Sequence, residues 1–282
     1  MSQRITTRLS LIFCCVTVFL VENAVANLDE SLTLKQNTLS KDQQTLMSLE
    51  LTAGLGNPID IYNLAHNYHH GTHSEIDLEK AKIWYNKAAT TKEPAVRYKI
   101  GRMYELGIIY DKNLEKALEH YHFAAEGGDI FAQTNLGAIY LSDKDQIEQG
   151  IYWSKKAAEK NSIESQVNLA IAYQRGLIGK VDVEQAIYWF KAAAASNNPY
   201  SQHQLGLYYY SIKNYDEAFY WFDLASELKN GNAMLYLSMM FDKGLGTEKN
   251  REKAITLLKA SAELGNEKAK TVLKQLFNIE QK

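Results

Sequence analysis

The sequence predicts an all-α protein, an α/α superhelical solenoid of helix-turn-helix repeats. Three observations support this prediction. A nine-residue frame recurs every 32 to 36 residues, a second frame follows each copy, and glycine, asparagine or aspartate stands where helices are expected to begin and end. The 282-residue chain has only three prolines, and Pro94 and Pro199 stand at predicted helix starts. A hydrophobic content of 46% is ample for a core.

The first 26 residues are predicted to be a signal peptide. Arg4 and Arg8 precede an apolar run over residues 9–21, and small residues then lead to Ala26. We expect cleavage after Ala26, because signal peptidase reads small residues before the cut. An uncleaved membrane anchor is the rival interpretation, but a bilayer span needs roughly 20 apolar residues. The sequence therefore predicts a periplasmic or secreted protein without stable membrane insertion after cleavage.

Cysteine use and charge exclude several kinds of site. Both cysteines, Cys14 and Cys15, lie inside the predicted signal peptide, so the mature chain has no disulfide, thiol nucleophile or thiolate metal site. Phe13 is too large to precede a lipidated cysteine. Lys and Arg number 31 against 33 Asp and Glu, and this balance argues against a nucleic-acid partner.

Residues 27–57 are predicted to be a polar segment followed by a capping helix. Ser40 and Gln43 have the spacing of a capping box, which indicates a helix that begins there and continues to about Ala53. This helix stands where the second helix of a preceding repeat would stand. We therefore expect it to cover the N-terminal end of the repeats.

The first frame reads small-x-x-x-Leu-small-x-x-aromatic. One full copy consists of Ala132, Leu136, Gly137 and Tyr140, which lie on one face of a helix because they are three, four and eight residues apart. The closing aromatic residue recurs at intervals of 36, 36, 33, 36, 32 and 36 residues. It is found at Tyr68, Tyr104, Tyr140, Tyr173, Tyr209, Phe241 and Phe277.

The second frame reads Ala-x-x-Trp-Tyr-x-x-Ala-Ala in its clearest copy, which begins at Ala81 and ends at Ala89. Small residues at fixed points allow neighbouring helices to approach closely, and the large aromatic residues beside them fill the next layer. A carbohydrate-stacking role for these Trp and Tyr side chains is the alternative. Their strict register favours the core.

Residues at the helix ends agree with both frames. Glycine follows four of the first helices, where a left-handed residue is needed. These glycines are Gly71, Gly107, Gly176 and Gly244. Asp77, Asn113, Asp182 and Asn214 are placed to cap second helices. Asp143 and Ile212 replace the glycine in the two shorter repeats, which indicates trimmed loops.

These paired frames resemble the Sel-1-like repeat family, a relative of the tetratricopeptide repeats. The resemblance covers roughly residues 58–279, and it implies a repeat domain over 58–282 with about six repeats and a C-terminal capping helix. It also implies a non-enzymatic scaffold or adaptor, a monomer that binds another protein or peptide. The resemblance to exported bacterial members of the family further implies a role in host interaction or in cell-envelope processes.

The resemblance also implies where a partner binds. In tetratricopeptide-type stacks the first helices line a concave groove, through positions two before, two after and five after the recurring Leu. The partner-binding residues predicted in this way are Tyr62, His66, Tyr98, Arg102, Glu105, Ile171, Gln174, His203, Leu207, Tyr210, Met239 and Asp242. The same positions also include His69, Thr134, Ala138, Leu141, Val167 and Leu235. Tight winding of the stack, which would bury part of this face, is the alternative.

Two other function classes remain open. His66, His69, His70 and His73 have helical spacings that suit zinc or copper, but variable polar positions around Tyr68 are the favoured interpretation, and no metal is predicted. A cell-wall-active or β-lactamase-like hydrolase is the other alternative, and a groove carboxyl with a perturbed pKa would favour it. The sequence has no motif for catalytic residues or for a cofactor, so neither is predicted.

Overall fold

The computed structural model describes residues 39–280, with side chains up to Leu276. The predicted signal peptide (1–26) and nearly all of the polar segment after it lie outside the described residues. Within residues 39–280 every regular element is an α-helix. The chain divides into two compact units, the first ending at Asn113 and the second beginning at Leu114.

Unit 1 contains four helices: α1 (Lys41–Gly54), α2 (Pro58–His70), α3 (Leu78–Ala88) and α4 (Pro94–Leu106). Its core is formed by residues from all four helices, including Ala53 of α1, Leu64 of α2, Tyr85 of α3 and Ile100 of α4, each at most 1% exposed. Helix α1 therefore packs against the apolar side of α2.

Unit 2 contains ten helices, each packed against the next. They are α5 (Leu114–Glu126), α6 (Ile130–Ser142), α7 (Ile147–Glu159), α8 (Ile163–Arg175), α9 (Val183–Ala195), α10 (Pro199–Ser211), α11 (Tyr215–Glu227), α12 (Gly231–Lys243), α13 (Arg251–Glu263) and α14 (Glu267–Glu280). The predicted all-α solenoid class is confirmed by this succession. First helices of the repeats are α2, α4, α6, α8, α10 and α12, and second helices are α3, α5, α7, α9, α11 and α13.

The predicted helix ends are confirmed where the structure gives their bonds. The Gln43 amide donates to the Ser40 hydroxyl at 3.2 Å, and the Ser40 amide donates to the Gln43 side chain at 2.9 Å. Side chains of Asp77, Asp182 and Asn214 accept bonds from the first turns of α3, α9 and α11. The four glycines after first helices all have φ between 67° and 74°.

Both frames supply the core, as predicted. The recurring Leu of the first frame is at most 1% exposed at Leu136, Leu169, Leu205 and Leu237. Trp153 and Trp189 of the second frame are 6% and 8% exposed. These side chains therefore stabilise the stack, and the alternative that frame aromatics stack on sugars fails for them.

Small residues do permit close helix approach. A methyl group added at Gly137 would lie 2.3 Å from the Ser154 hydroxyl, and one at Gly206 would lie 2.5 Å from the Phe222 ring. A methyl group added at Gly150 would meet the backbone, because Leu141 N would lie 2.6 Å from it. Helices α6 and α7, which are joined by a trimmed loop, therefore leave no room for a larger residue there.

A recurring glutamine bond was not predicted from the sequence. Gln133, Gln166 and Gln202 each follow the first residue of the first frame, and each is at most 4% exposed. Their side-chain amides donate to backbone carbonyls eight residues earlier, at 2.9, 3.2 and 3.5 Å. Each bond ties a first helix to the end of the second helix before it.

Candidate binding surfaces

In unit 1 the predicted partner-binding residues of α2 lie beside aromatic and basic neighbours. Tyr62 is half-buried, and its ring meets that of Tyr85 edge-on at 5.4 Å between centroids. The Lys99 ammonium lies 4.6 Å from the centre of the Tyr62 ring, within cation–π range. Burial raises the pKa of the Tyr62 hydroxyl, so the ring presents a neutral phenol.

Three α2 histidines form a group in which His69 stacks on His70 and the His66 ring is tilted against His70. The ring centroids of His66 and His69 each lie 4.2 Å from that of His70. Burial, and next the neighbouring His70, lower the pKa of both His66 and His69. His73 lies apart from the stack, with its Nδ1 2.8 Å from an Asp42 carboxylate oxygen. Among residues 39–280 no group of three or more His, Cys, Asp or Glu is placed to hold a metal ion.

Helix α4 carries the other predicted residues of unit 1. Tyr98, Arg102 and Glu105 are all half-buried. Arg102 Nε lies 3.6 Å from Glu105 Oε2, one helical turn away. This face of α4 is therefore polar and mixed in charge.

In unit 2 three of the positions that the resemblance assigned to the groove are buried. Thr134 is 5% exposed and shares hydroxyl bonds with Ser162 and Ser165, at 2.9 and 3.1 Å. His203 and Leu235 are 8% and 7% exposed. At these three positions the structure agrees with the alternative interpretation, in which tight winding of the stack buries part of the groove face.

The other groove positions of unit 2 are open to different degrees. Leu141 and Ile171 are partly buried against the core around Leu169. Val167 and Tyr210 are half-buried, whereas Ala138 is exposed. The Tyr210 ring meets Tyr215 and Tyr236 edge-on at 5.5 and 5.9 Å.

A cavity of about 290 Å³, here called the middle cavity, lies between α8, α9 and α10. Gln174 and Leu207, both predicted partner-binding residues, contribute to its lining. The Gln174 amide donates to the Gln204 side chain at 3.4 Å. Its other lining residues are Val183, Ala186, Ile187, Phe190, Leu205, Tyr208 and Ser211.

A second cavity of about 250 Å³, here called the terminal cavity, lies between α12, α13 and α14. Its lining includes Met239 and Asp242, both predicted partner-binding residues, and Leu235, which lies at another groove position. The Arg251 guanidinium lies 3.9 Å from the Asp242 carboxylate at the rim. The lining is completed by Ser238, Lys243, Ala254, Ile255, Leu258, Val272 and Leu276. An apolar floor with a charged rim suits an apolar side chain that has a polar neighbour.

The sequence analysis missed the surface formed by the second helices. Tyr152, Tyr188 and Tyr220, here called the tyrosine series, stand directly before the Trp of the second frame and are 50%, 60% and 53% exposed. They belong to α7, α9 and α11. A sequence signal existed, because the frame requires only the Trp at this point and leaves the preceding residue free.

One carboxyl on this second-helix surface has a perturbed pKa. Burial, and next the nearby Glu227, raise the pKa of Asp223, while Lys253 opposes the shift. Asp223 and Lys253 line an open cavity of about 470 Å³ between α11, α12 and α13. This carboxyl belongs to a second helix, and it is not one of the first-helix groove positions where a catalytic carboxyl was sought.

Across residues 39–280 no helix has both the length and the apolar character that a bilayer span requires.

Comparison with known proteins identifies the repeat. The family model described as Sel1 repeat matches residues 59–90, 94–129, 130–162, 163–198, 199–230 and 231–266. Each match joins one first helix to the second helix that follows it. The six matches agree with the predicted six repeats, and α14 lies beyond the last of them.

Two solved structures are similar over 79% of this chain. One is c5321, a protective antigen present in uropathogenic Escherichia coli strains and displaying an SLR fold, with 28% identity and a TM-score of 0.72 over 50% of its chain. The other is a Sel1 repeat protein from Oxalobacter formigenes, with 24% identity and a TM-score of 0.63 over 94% of its chain.

Curated relatives match shorter segments. An uncharacterized protein of Neisseria meningitidis serogroup B is 28% identical over 48% of this chain and 28% of its own. An F-box protein of Arabidopsis thaliana is 32% identical over 27% of this chain and 22% of its own. The chain thus spans less than a third of either curated relative and half of c5321. Since the family model covers well over half of the sequence, the chain belongs to the Sel1 repeat family.

Proposed function

We propose that this protein is a non-enzymatic scaffold that binds a partner protein or peptide through the first-helix side of unit 2. Sel1 repeat proteins are generally scaffolds for protein interaction and typically lack enzymatic activity. One observation supports the location. Five groove positions given by the resemblance line the middle and terminal cavities, namely Gln174, Leu207, Leu235, Met239 and Asp242.

The terminal cavity suits the apolar anchor of a partner. Burial of one Leu-sized side chain contributes about 1.5–3 kcal/mol, and such anchors dominate the affinity of many interfaces. The Arg251–Asp242 pair at the rim offers hydrogen bonds to the backbone or side chains beside the anchor. We propose a partner segment with an apolar residue flanked by polar ones.

We further propose that the protein acts in the periplasm or after secretion, as the predicted signal peptide implies. The similarity to c5321, a protective antigen of uropathogenic strains, supports a role in which the protein meets host molecules. Cell-envelope partners are the other proposal.

Affinity capture with a matched pair of variants tests this function. Met239→Glu places a charge in the terminal cavity, whereas Thr256→Glu places the same charge on an exposed position of α13. We expect partners captured from envelope extract or host lysate to be lost with Met239→Glu and kept with Thr256→Glu. Circular dichroism melting would verify that both variants fold. Identical partner sets for both folded variants would contradict the proposed site.

A further inference from the structure

The tyrosine series is not required by the repeat. Its three members occupy one equivalent position in three consecutive repeats of unit 2, and each is at least half exposed. Glu119 and Thr256 hold that position in the remaining second helices of the unit. Helix packing therefore accepts a small polar or charged residue there, and the exposed rings need another explanation.

Each ring of the series is held in place by its neighbour. Tyr152, Tyr188 and Tyr220 meet the adjacent Trp ring edge-on, with centroids 4.9, 4.9 and 5.0 Å apart. Because Trp153 and Trp189 are buried, two of these rings rest on a fixed support. A ligand that stacks on these supported rings loses less entropy on binding. The Lys156 ammonium lies 4.6 Å from the centre of the Tyr152 ring, so a ligand that stacks on that ring takes the other face or displaces the lysine.

Polar groups surround the first of these rings. An open groove of about 570 Å³ lies between α5 and α7. It is lined by His122, Glu126, Glu148, Gln149, Tyr152, Trp153 and Lys156. Carboxylates and the amide oxygen accept hydrogen bonds, while the amide nitrogen and the ammonium donate them. Two carboxylates, Glu126 and Glu148, lie with one ammonium, Lys156, and this net charge of −1 with neutral His122 disfavours an anionic ligand.

The next two repeats resemble this arrangement. One turn before Tyr188 stand exposed Glu184 and Gln185, and one turn before Tyr220 stand exposed Asp216 and Glu217. Acidic residues in a first turn also stabilise the helix dipole, so the carboxylates alone indicate little. The combination of an exposed ring with a carboxylate and an amide or second carboxylate is what repeats.

We propose that the tyrosine series binds a neutral oligosaccharide of β-linked pyranose units. Such sugars present flat C–H faces that stack on aromatic rings, and rims of hydroxyl groups that both donate and accept hydrogen bonds. A ligand with repeated units matches a surface that presents the same groups in consecutive repeats. The groove between α5 and α7 receives one sugar unit over Tyr152, where Glu148 and Gln149 bond its hydroxyls.

Titration calorimetry and tryptophan fluorescence test this proposal, because Trp153 and Trp189 touch the stacking rings. The probes are the hexamer of N-acetylglucosamine and cellohexaose, added to the full mature protein. We expect saturable binding of at least one hexamer. Combined Tyr152→Ala, Tyr188→Ala and Tyr220→Ala should weaken it at least about tenfold, since stacking on each ring contributes to affinity. Thr256→Ala, at the equivalent position of α13, should bind as the wild type does.

The outcomes separate this inference from the proposed scaffold function. Because the three tyrosines are exposed, the triple variant should have the same melting temperature as the wild type, which circular dichroism measures. Met239→Glu should keep sugar binding even where it abolishes partner capture. Failure of both hexamers to bind would overturn the inference. So would tyrosine-dependent binding of a Lys- and Arg-rich peptide instead, which would make this surface a protein interface.

Discussion

At the residue scale, His203 is a titratable side chain at a groove position of the repeat, and it is buried. Its ring is 8% exposed and lies 5.8 Å from the Phe222 ring and 6.0 Å from the Tyr236 ring. Burial lowers the pKa of this imidazole from 6.5 to about 4, because the charged form loses its hydration. The folded protein therefore keeps His203 neutral in mildly acidic solution.

This lowered pKa predicts acid sensitivity. Between pH 6.5 and 4 the unfolded chain binds a proton at His203 that the folded chain does not bind, so the free energy of unfolding falls as the pH falls. The stability is fully present above pH 6.5, and at most roughly 3 kcal/mol is lost by pH 4. His203→Leu, the residue type of the equivalent Leu235, should reduce this loss. Urea unfolding at pH 7 and pH 5 measures the difference, and equal losses in both proteins would contradict it.

The recurring glutamine bond predicts a graded response at Gln166. Met234 stands at the equivalent position of the following repeat, so the site accepts a side chain of similar volume without the bond. Gln166→Met should lower the free energy of unfolding by about 1 kcal/mol, the net value of one hydrogen bond. Gln166→Ala should lower it by about 2 kcal/mol or more, because a cavity is added. Thermal or urea unfolding measures both, and a larger loss for Met than for Ala would refute the packing argument.

At the element scale, the third repeat combines a short loop with a tight contact between its two helices. Asp143 replaces the left-handed glycine of the longer repeats, and α7 begins only five residues after α6 ends. Five second helices have alanine where α7 has Gly150. The backbone of Leu141 lies against Gly150, so alanine does not fit there, whereas Ala218 fits after the still shorter connection between α10 and α11.

Gly150→Ala should therefore destabilise the protein although alanine is the usual residue in this frame. The added methyl would lie 2.6 Å from Leu141 N, so the helices must separate, and overpacking of this kind costs about 1–3 kcal/mol. Gly54→Ala is the matched control, because no atom lies within 4 Å of the added methyl. It should be neutral or slightly stabilising. Equal melting temperatures for both variants would contradict the close approach.

Local signals were the most predictable part of the fold. Caps such as Asp77 and Asp182 bond amides within their own first turn, so the spacing along the chain already specifies the contact. The burial of Thr134 and the exposure of Tyr152 depend on the neighbouring helices. Repeat register shows that positions are equivalent, but it does not show how deeply each one is covered. The groove positions could therefore be assigned in sequence while their exposure could not.

At the scale of the whole molecule, export is the first prediction. Expression of the full chain in a bacterium with a standard secretion system should yield a protein that begins at Asn27, because cleavage is expected after Ala26. The mature chain would contain no cysteine, so reducing agents should leave its melting temperature unchanged. Intact-mass spectrometry of the periplasmic fraction measures both the cleavage point and the absence of thiol adducts. An uncleaved protein in the membrane fraction would support the anchor interpretation.

The last helix, α14, contributes both to the core at the end of the stack and to the wall of the terminal cavity. Ala269 is fully buried, and Leu273 and Leu276 of α14 pack against the core of Leu235 and Leu258. In repeat proteins each repeat contacts chiefly its neighbours, so a terminal helix stabilises the end of the stack and leaves distant repeats almost unaffected.

Truncation after Asn266 should therefore act locally. Loss of α14 exposes Leu258 and removes Val272 and Leu276 from the wall of the terminal cavity. Amide hydrogen exchange should become faster in α12 and α13 but remain unchanged in α7 and α9, where contacts with α14 are not involved. Partner capture should fail, whereas oligosaccharide binding to the tyrosine series should persist. If partner capture and oligosaccharide binding both survive the truncation, the partner does not occupy the terminal cavity. If amide hydrogen exchange becomes faster throughout unit 2, the repeats of this unit unfold as one cooperative block.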